Sequence, residues 1–170
     1  MFAVTRGDYK YRHLSTSVPS VNQIVFSVKA CKYVHILLGS IPGDVFNDAY
    51  EITIGMTIGQ NTYTEIKYDI AGSRKVEAMT PDVLNCTSFN TFWVRWGYSN
   101  AGRTRVEVGT GTILGRDRLL YLIDRDNPRE IVQAYFATGD GAVGYWEFIK
   151  YEGKRLGVVT IFIIGISILM

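Results

Sequence analysis

The chain has 170 residues, of which 47% are apolar, 20% charged and 13% aromatic, with eleven Tyr. That length and composition suit one β-rich domain able to bury a core without metal or several bridges, and they exclude a disordered chain. Eighteen Lys and Arg against sixteen Asp and Glu leave a formal net charge of +2. The basic residues are scattered apart from Arg103-Thr104-Arg105 and Lys154-Arg155, so there is no electrostatic footprint for nucleic acid.

The N-terminal MFAVTRGDYKYRHLS has no continuous apolar stretch and does not read as a signal peptide. Either Met1 is internal to a longer or processed chain, or the protein stays inside. Residues 1–22 are polar and irregular, with Tyr9 and Tyr11 alternating around Lys10, which suits an arm or an edge strand. From Gln23 to Ala30, Ile24, Phe26, Val28 and Ala30 share one face while Ser27 and Lys29 take the other, the period of a strand. Tyr33 to Leu38 is a short apolar run closed by Gly39 and a turn at Pro42-Gly43-Asp44.

Tyr50 to Ile58 alternates most clearly: Tyr50, Ile52, Ile54, Met56 and Ile58 point inward, and Glu51, Thr53, Gly55 and Thr57 outward. A turn at Gly59-Gln60-Asn61 leads into Thr62 to Ile70, where Ile66, Tyr68 and Ile70 oppose Glu65, Lys67 and Asp69. The two read as a hairpin with one wet face. A short strand over Val76 to Met79 ends before Pro81.

Phe89 to Gly111 reads as strand, turn and strand, interrupted at Ser99-Asn100-Ala101-Gly102. Trp93 and Val94 fall on opposite faces of a pleat, as do Arg95 and Trp96. The first strand is therefore apolar on parts of both sides and belongs in the middle of a sheet. Arg118 to Ile123, Ile131 to Thr138 and Gly144 to Tyr151 supply further strands, divided by Asp124-Arg125-Asp126-Asn127-Pro128 and by Gly139-Asp140-Gly141. No helix-length window repeats apolar residues at three and four. About ten short strands between turns predict an all-β fold, an antiparallel β-sandwich or jelly roll, over residues 23–151.

Residues 152–170 differ. GVVTIFIIGISILM is almost wholly apolar and rich in Val and Ile. The apolar run from Leu156 is about fifteen residues, short of the roughly twenty of an ordinary membrane helix. It suits a lipid-anchor signal, a short membrane span, a strand of the chain's own core, or a strand donated to a neighbouring copy. Donation is the favoured reading, with Val158, Val159, Ile161, Phe162, Ile163, Ile164, Ile166 and Ile168 as the assembly strand, and its head-to-tail repetition would build an open filament.

Candidate chemistry is thin. His35 sits in an apolar strand and reads as a hydrogen-bonded core residue; His13 is isolated, so no metal site is expected. Asp124, Asp126 and Asn127 offer hard oxygens but lack the glycine and distal Glu of a calcium loop, and a turn is the better reading. No Ser or Cys has a recognisable base partner. Asn85-Cys86-Thr87 is an N-glycosylation sequon, meaningful in a secreted chain. Tyr98, Arg103, Arg105, Tyr145 and Trp146 lie near turns and are candidate glycan contacts. Cys31 and Cys86 allow either one disulfide or two buried thiols.

Several pieces in order resemble the domain named for farnesoic acid O-methyltransferase: Phe26-Ser-Val-Lys-Ala-Cys31 with His35-Ile-Leu, Tyr50-Glu-Ile-Thr-Ile-Gly55, Thr80-Pro81 with Leu84-Asn-Cys86, Phe92-Trp-Val-Arg-Trp96, Val106-Glu-Val-Gly-Thr-Gly111, and Gly139-Asp-Gly-Ala-Val-Gly-Tyr-Trp-Glu-Phe148. The resemblance covers residues 24–149 and leaves out the first twenty residues and the apolar tail. It implies a domain common in extracellular animal proteins, compatible with a lectin-like module. It also implies that Cys31 and Cys86 bridge two strands, worth roughly 3 to 4 kcal/mol by loop closure.

The family name implies an S-adenosylmethionine-dependent enzyme, and Val106 to Gly111 looks like the first glycine motif of such enzymes. Ile113 stands where a third glycine is usual, however, and no amphipathic helix follows. Gly109 and Gly111 therefore read as marks of a strand end or bulge, with no cofactor expected. The sequence favours a non-enzymatic extracellular interaction module that self-assembles through its C-terminal strand. A carbohydrate-binding surface or defence module comes second and the methyltransferase third.

Overall fold

The computed structural model describes residues 2–14, 22–41, 47–56, 61–70, 72–99, 101–152 and 155–158. These residues form thirteen β-strands and no helix: β1 (Phe2–Thr5), β2 (Arg12–His13), β3 (Gln23–Lys29), β4 (Val34–Gly39), β5 (Ala49–Met56), β6 (Tyr63–Tyr68), β7 (Arg74–Met79), β8 (Asn90–Ser99), β9 (Arg103–Thr110), β10 (Arg118–Asp124), β11 (Gln133–Thr138), β12 (Gly144–Glu152) and β13 (Arg155–Val158). One sheet runs β1-β12-β3-β8-β9-β10, with β13 added beside β12; the other runs β2-β11-β4-β5-β6-β7. Neighbours pair antiparallel throughout, so the fold is an all-β sandwich. β8 lies between β3 and β9, the central place its two apolar faces call for. The N-terminal segment supplies β1 to one sheet and β2 to the other, each at an edge.

Two-residue alternation decides which side chains meet between the sheets. Ile24, Phe26, Val28, Phe92, Val94, Val106, Val108, Trp146 and Phe148 from the first sheet pack on Val34, Ile36, Leu38, Tyr50, Ile52, Ile54, Ile66 and Phe136 from the second. The centre is aromatic, with Phe26 centred 5.5 Å from Trp146 and 5.7 Å from Phe92, and Phe136 4.9 Å from Phe148. Rings at these spacings add about 0.5–1.5 kcal/mol per pair beyond the area they bury.

The β5–β6 hairpin departs from the sequence reading because its outward face is not wet. Glu51, Thr53 and Glu65 point away from the core and are nonetheless buried, as is His35 beside them. The N-terminal segment runs along β11 and reaches over part of this face with the side chains of Tyr9 and Tyr11, which meet His35 and Glu51. Tyr9 N donates to Thr138 O (3.2 Å) and Leu14 N to Ala134 O (2.9 Å), while Tyr11 packs on a second apolar cluster of Leu37, Ala49 and Tyr135. Under this cover, His35 Nδ1 meets Glu51 Oε1 at 2.9 Å and Thr53 Oγ1 at 3.2 Å. Lys67 Nζ pairs with Glu51 Oε2 at 2.8 Å, and the Tyr11 hydroxyl donates to Glu51. Both Glu51 oxygens and His35 Nδ1 gain a charged or hydrogen-bonding partner, which offsets much of the cost of burial, while His35 Nε2 is left buried without a hydrogen bond among the described residues. His35 is hydrogen-bonded, but on the outer side of its sheet and not in the core.

The apolar C-terminal segment begins inside its own sheet. β13 pairs Val158 with Ile149 and Leu156 with Tyr151 of the same chain. Val158, read from sequence as the start of a donated strand, is therefore part of a hairpin with β12. Val159, Ile161, Phe162, Ile163, Ile164, Ile166 and Ile168 lie outside the described residues. Among the described residues, no helix is long and apolar enough to cross a membrane.

Candidate functional site

The five side chains read from sequence as glycan contacts do not converge. Trp146 is 0% exposed: its ring belongs to the core and its indole N–H donates to Thr5 Oγ1 at 2.9 Å. Proximity to the Gly139 turn suggested a surface position, but the pleat of β12 turns Trp146 inward, so it presents no face to a ligand. Tyr145, one residue earlier, points outward, and Lys29 Nζ sits 4.7 Å from its ring centroid. Tyr145 pairs with Lys29 at one end of the sheet, whereas Arg103 pairs with Ser99 at the other, so the length of β8 separates them. Tyr98 is exposed but lies opposite Thr104, on the other face of the hairpin from Arg103 and Arg105.

Arg105 belongs to a different constellation. Antiparallel register sets Arg95 of β8 opposite Glu107 of β9, and Arg105 lies two residues along β9 on the same outer face. Arg118 joins from β10. Glu107 is only 2% exposed and gathers all three guanidiniums. Arg95 Nη2 donates to its two oxygens at 2.8 and 3.0 Å, Arg105 Nε lies 3.3 Å away and Arg118 Nη1 3.4 Å away. Three positive charges against one negative leave this face cationic, and the buried carboxylate holds the forks in place at a low ordering cost.

The outer halves of these guanidiniums reach solvent. Beside them, Tyr121 is 39% exposed and stacks under the Arg118 guanidinium at 4.8 Å, and exposed Ile123 sits opposite Arg105. Planar donors next to an exposed ring can take a carboxylate or sulfate in bidentate fashion while an apolar sugar face rests on the ring. Alternation alone places Arg95, Arg105 and Glu107 on one side of their strands. Their convergence depends on the hairpin register, and Arg118 and Tyr121 enter only through the pairing of β10, so the sequence reading found Arg105 and missed the rest.

Behind the arginines lies the glycine motif. Trp93 faces outward yet is fully buried, because it covers Gly109, its cross-strand partner. A Cβ on Gly109 would fall 2.3 Å from Trp93 Cζ2, and the indole N–H donates to Thr110 O (3.1 Å) and Arg116 O (3.0 Å). Gly111, at φ +79°, turns the chain out of β9. The space above Gly109 is thus filled by the protein's own indole, and no helix follows among the described residues. Val106 to Gly111 does not fit S-adenosylmethionine.

Cys31 and Cys86 are joined in a disulfide with Cα atoms 4.4 Å apart, tying the end of β3 to the loop before β8. Asn85, exposed beside it, accepts hydrogen bonds from Thr87 N and Thr87 Oγ1 (2.8 Å each) and from Ser88 N (3.1 Å). Asp124 accepts from Asp126 N (3.1 Å), Asn127 N (3.2 Å) and the Tyr50 hydroxyl (2.6 Å), the arrangement of a turn tied to the core. Burial raises its carboxyl, but these bonds, led by Tyr50, hold it below the usual range. Among the described residues, no three His, Cys, Asp or Glu side chains gather as metal ligands.

The fold and its surface define a disulfide-bonded antiparallel β-sandwich with a cationic outer face. The chain belongs to the family described as farnesoic acid 0-methyl transferase, whose model matches residues 5–152. That match takes in β2 and the end of β1, which the sequence resemblance leaves out. A curated relative, Uncharacterized protein 5 of Haliotis asinina, is 36% identical over 73 residues, 43% of this chain and 40% of its own length. The chain therefore matches well under half of that relative. Among solved structures, the exoplasmic/lumenal domain of VIP36 in its Ca2+/Man-bound form overlaps 98% of this chain and 91% of its own, at 11% identity and a TM-score of 0.41. The marine PL-14 alginate lyase from Aplysia kurodai overlaps 87% and 79%, at 9% identity and a TM-score of 0.39.

Proposed function

We propose that this domain works outside the cell by binding, without catalysing methyl transfer, and that its ligand is an acidic glycan held on the face formed by Arg95, Arg105, Arg118 and Tyr121. The observation that carries the reading is the set of three guanidiniums ordered on one buried carboxylate beside an exposed ring. Such a surface offers sulfate or uronate groups fixed donors and offers the sugar ring a platform. An extracellular setting is supported by the Cys31–Cys86 bridge and by the exposed Asn85 sequon next to it. The family name points to methyl transfer, but Gly109 and Gly111 both have structural uses, which favours a binding role.

The test is titration of the chain with a sulfated and a neutral oligosaccharide of equal length, repeated at two salt concentrations. The sulfated sugar binds more tightly, weakens with salt, and loses at least about tenfold in affinity when Arg105 and Arg118 are both changed to Ala, since each charge-assisted bond is worth roughly 1.5–3 kcal/mol. Equal binding by the double variant, or no preference for the charged sugar, would overturn the reading, and radiolabelled methyl appearing on a substrate would overturn the non-enzymatic role. Self-assembly through the C-terminal segment ranks second, because the pairing of β13 within its own chain gives no support to donating residues 155–158.

A further inference from the structure

An open cavity of about 350 Å3 lies at the end of the sandwich near Leu14 and Ile24, with His13, Asn22, Glu130 and Val132 exposed at its rim. Leu14, Ile24, Trp96 and Ala134 give it apolar walls, and Asn22 and Gln133 add amide groups. Its volume falls in the range of about 300–1,000 Å3 typical of small-molecule sites.

Three features set it apart from a packing defect. The first is Trp96, which is 7% exposed and whose indole N–H makes no hydrogen bond among the described residues. Trp93 and Trp146 both donate theirs, to backbone carbonyls and to Thr5 Oγ1 respectively. A buried donor without an acceptor is a standing cost to the fold, and the cost vanishes when an oxygen reaches it.

The second is rigidity: backbone bonds pin the walls, from Leu14 N to Ala134 O (2.9 Å), from Trp96 N to Asn22 O (2.9 Å) and from Val132 N to Gly39 O (3.0 Å). A preformed cavity takes a ligand with little ordering cost. The third is charge. Glu130 and His13 sit exposed at the rim, whereas Leu14, Ile24, Trp96 and Ala134 line the depth, so a guest held there meets no charged group and is favoured uncharged.

We propose that this cavity binds an uncharged small molecule with an aliphatic or alicyclic body and one hydrogen-bond-accepting oxygen, and that this oxygen takes the Trp96 Nε1–H. The site is independent of the arginine face, because neighbouring residues of β8 point to opposite sides, Arg95 outward and Trp96 between the sheets. It holds whether or not the domain binds glycans.

The experiment follows the indole N–H resonances of the 15N-labelled full chain during titration with cyclohexanone and 2-decalone, and with cyclohexane and decalin as hydrocarbon counterparts. A ketone should shift the Trp96 resonance saturably, leave those of Trp93 and Trp146 in place, and bind about tenfold more tightly than its hydrocarbon. Trp96→Phe, which keeps an aromatic ring and deletes the donor, should erase that advantage. Ala134→Leu, which fills the cavity, should weaken all four probes. No saturable shift of Trp96 with any probe would overturn the proposal, as would equal binding of ketone and hydrocarbon to the wild-type chain, which needs no variant to fold.

Discussion

Glu51 carries a charge where almost no water reaches it, and three neighbours make that tolerable. Burial pushes its carboxyl up, but the hydrogen bond and charge of His35, followed by bonds from Lys67 and Tyr11, outweigh burial and hold it below its ordinary value of 4.5. A carboxyl lower in the folded than in the unfolded chain lends stability that is complete above the unfolded value and drains away as pH falls through the folded one. Denaturant midpoints measured from pH 6 to pH 3 should therefore drop more steeply for the wild-type chain than for Glu51→Gln. At pH 7 the variant should be less stable by about 3 kcal/mol, the scale for breaking a buried pair. Parallel profiles would remove Glu51 from the acid response. Gly109 shows the same dependence on context, since nothing in its own flexibility accounts for it and the indole of Trp93 across the strand does.

At the scale of elements, alternation gave the strands and their inward residues well, because every second side chain of a half-buried strand must be apolar. It misjudged β5 and β6, where the outward residues read as solvated. Glu51 is covered by Tyr11 from the start of the chain and Glu65 is paired with Arg74 of β7, and local sequence holds no information about which distant side chain will reach over a face. The disulfide is a second long-range link, closing a separation of 55 residues between the end of β3 and the loop before β8. Loop-closure entropy puts its contribution at about 4 kcal/mol. Reducing it, or replacing both Cys31 and Cys86 by Ser, should lower the unfolding free energy in urea by that amount. A loss below about 1 kcal/mol would mean that the reduced chain keeps its ends together by other contacts.

For the whole molecule, the question is what the C-terminal segment does. β13 adds a short hairpin beside β12 and pairs with no other strand among the described residues. A chain ending at Glu152 should accordingly stay folded, with the indole resonances of Trp93, Trp96 and Trp146 unmoved and the oligomeric mass the same as that of the full chain. Electron microscopy with mass determination on both chains checks this. Filaments formed by the full chain and lost on truncation would reinstate assembly through the tail, and a truncated chain that fails to fold would place the tail in its own core.

Periodicity and short motifs in order were enough to reach the all-β class, most strands, the central position of β8 and the family. Tertiary structure decided how the faces were used. It sent Trp146 into the core and left Tyr145 outside, set Arg118 and Tyr121 beside Arg95 and Arg105, covered Glu51 with Tyr11, and left the Trp96 indole without a hydrogen-bond partner among the described residues at the edge of an open cavity. Each of these depends on register and on contacts between residues far apart in the chain, and the chemistry of a residue type does not specify which neighbours the fold will bring to it.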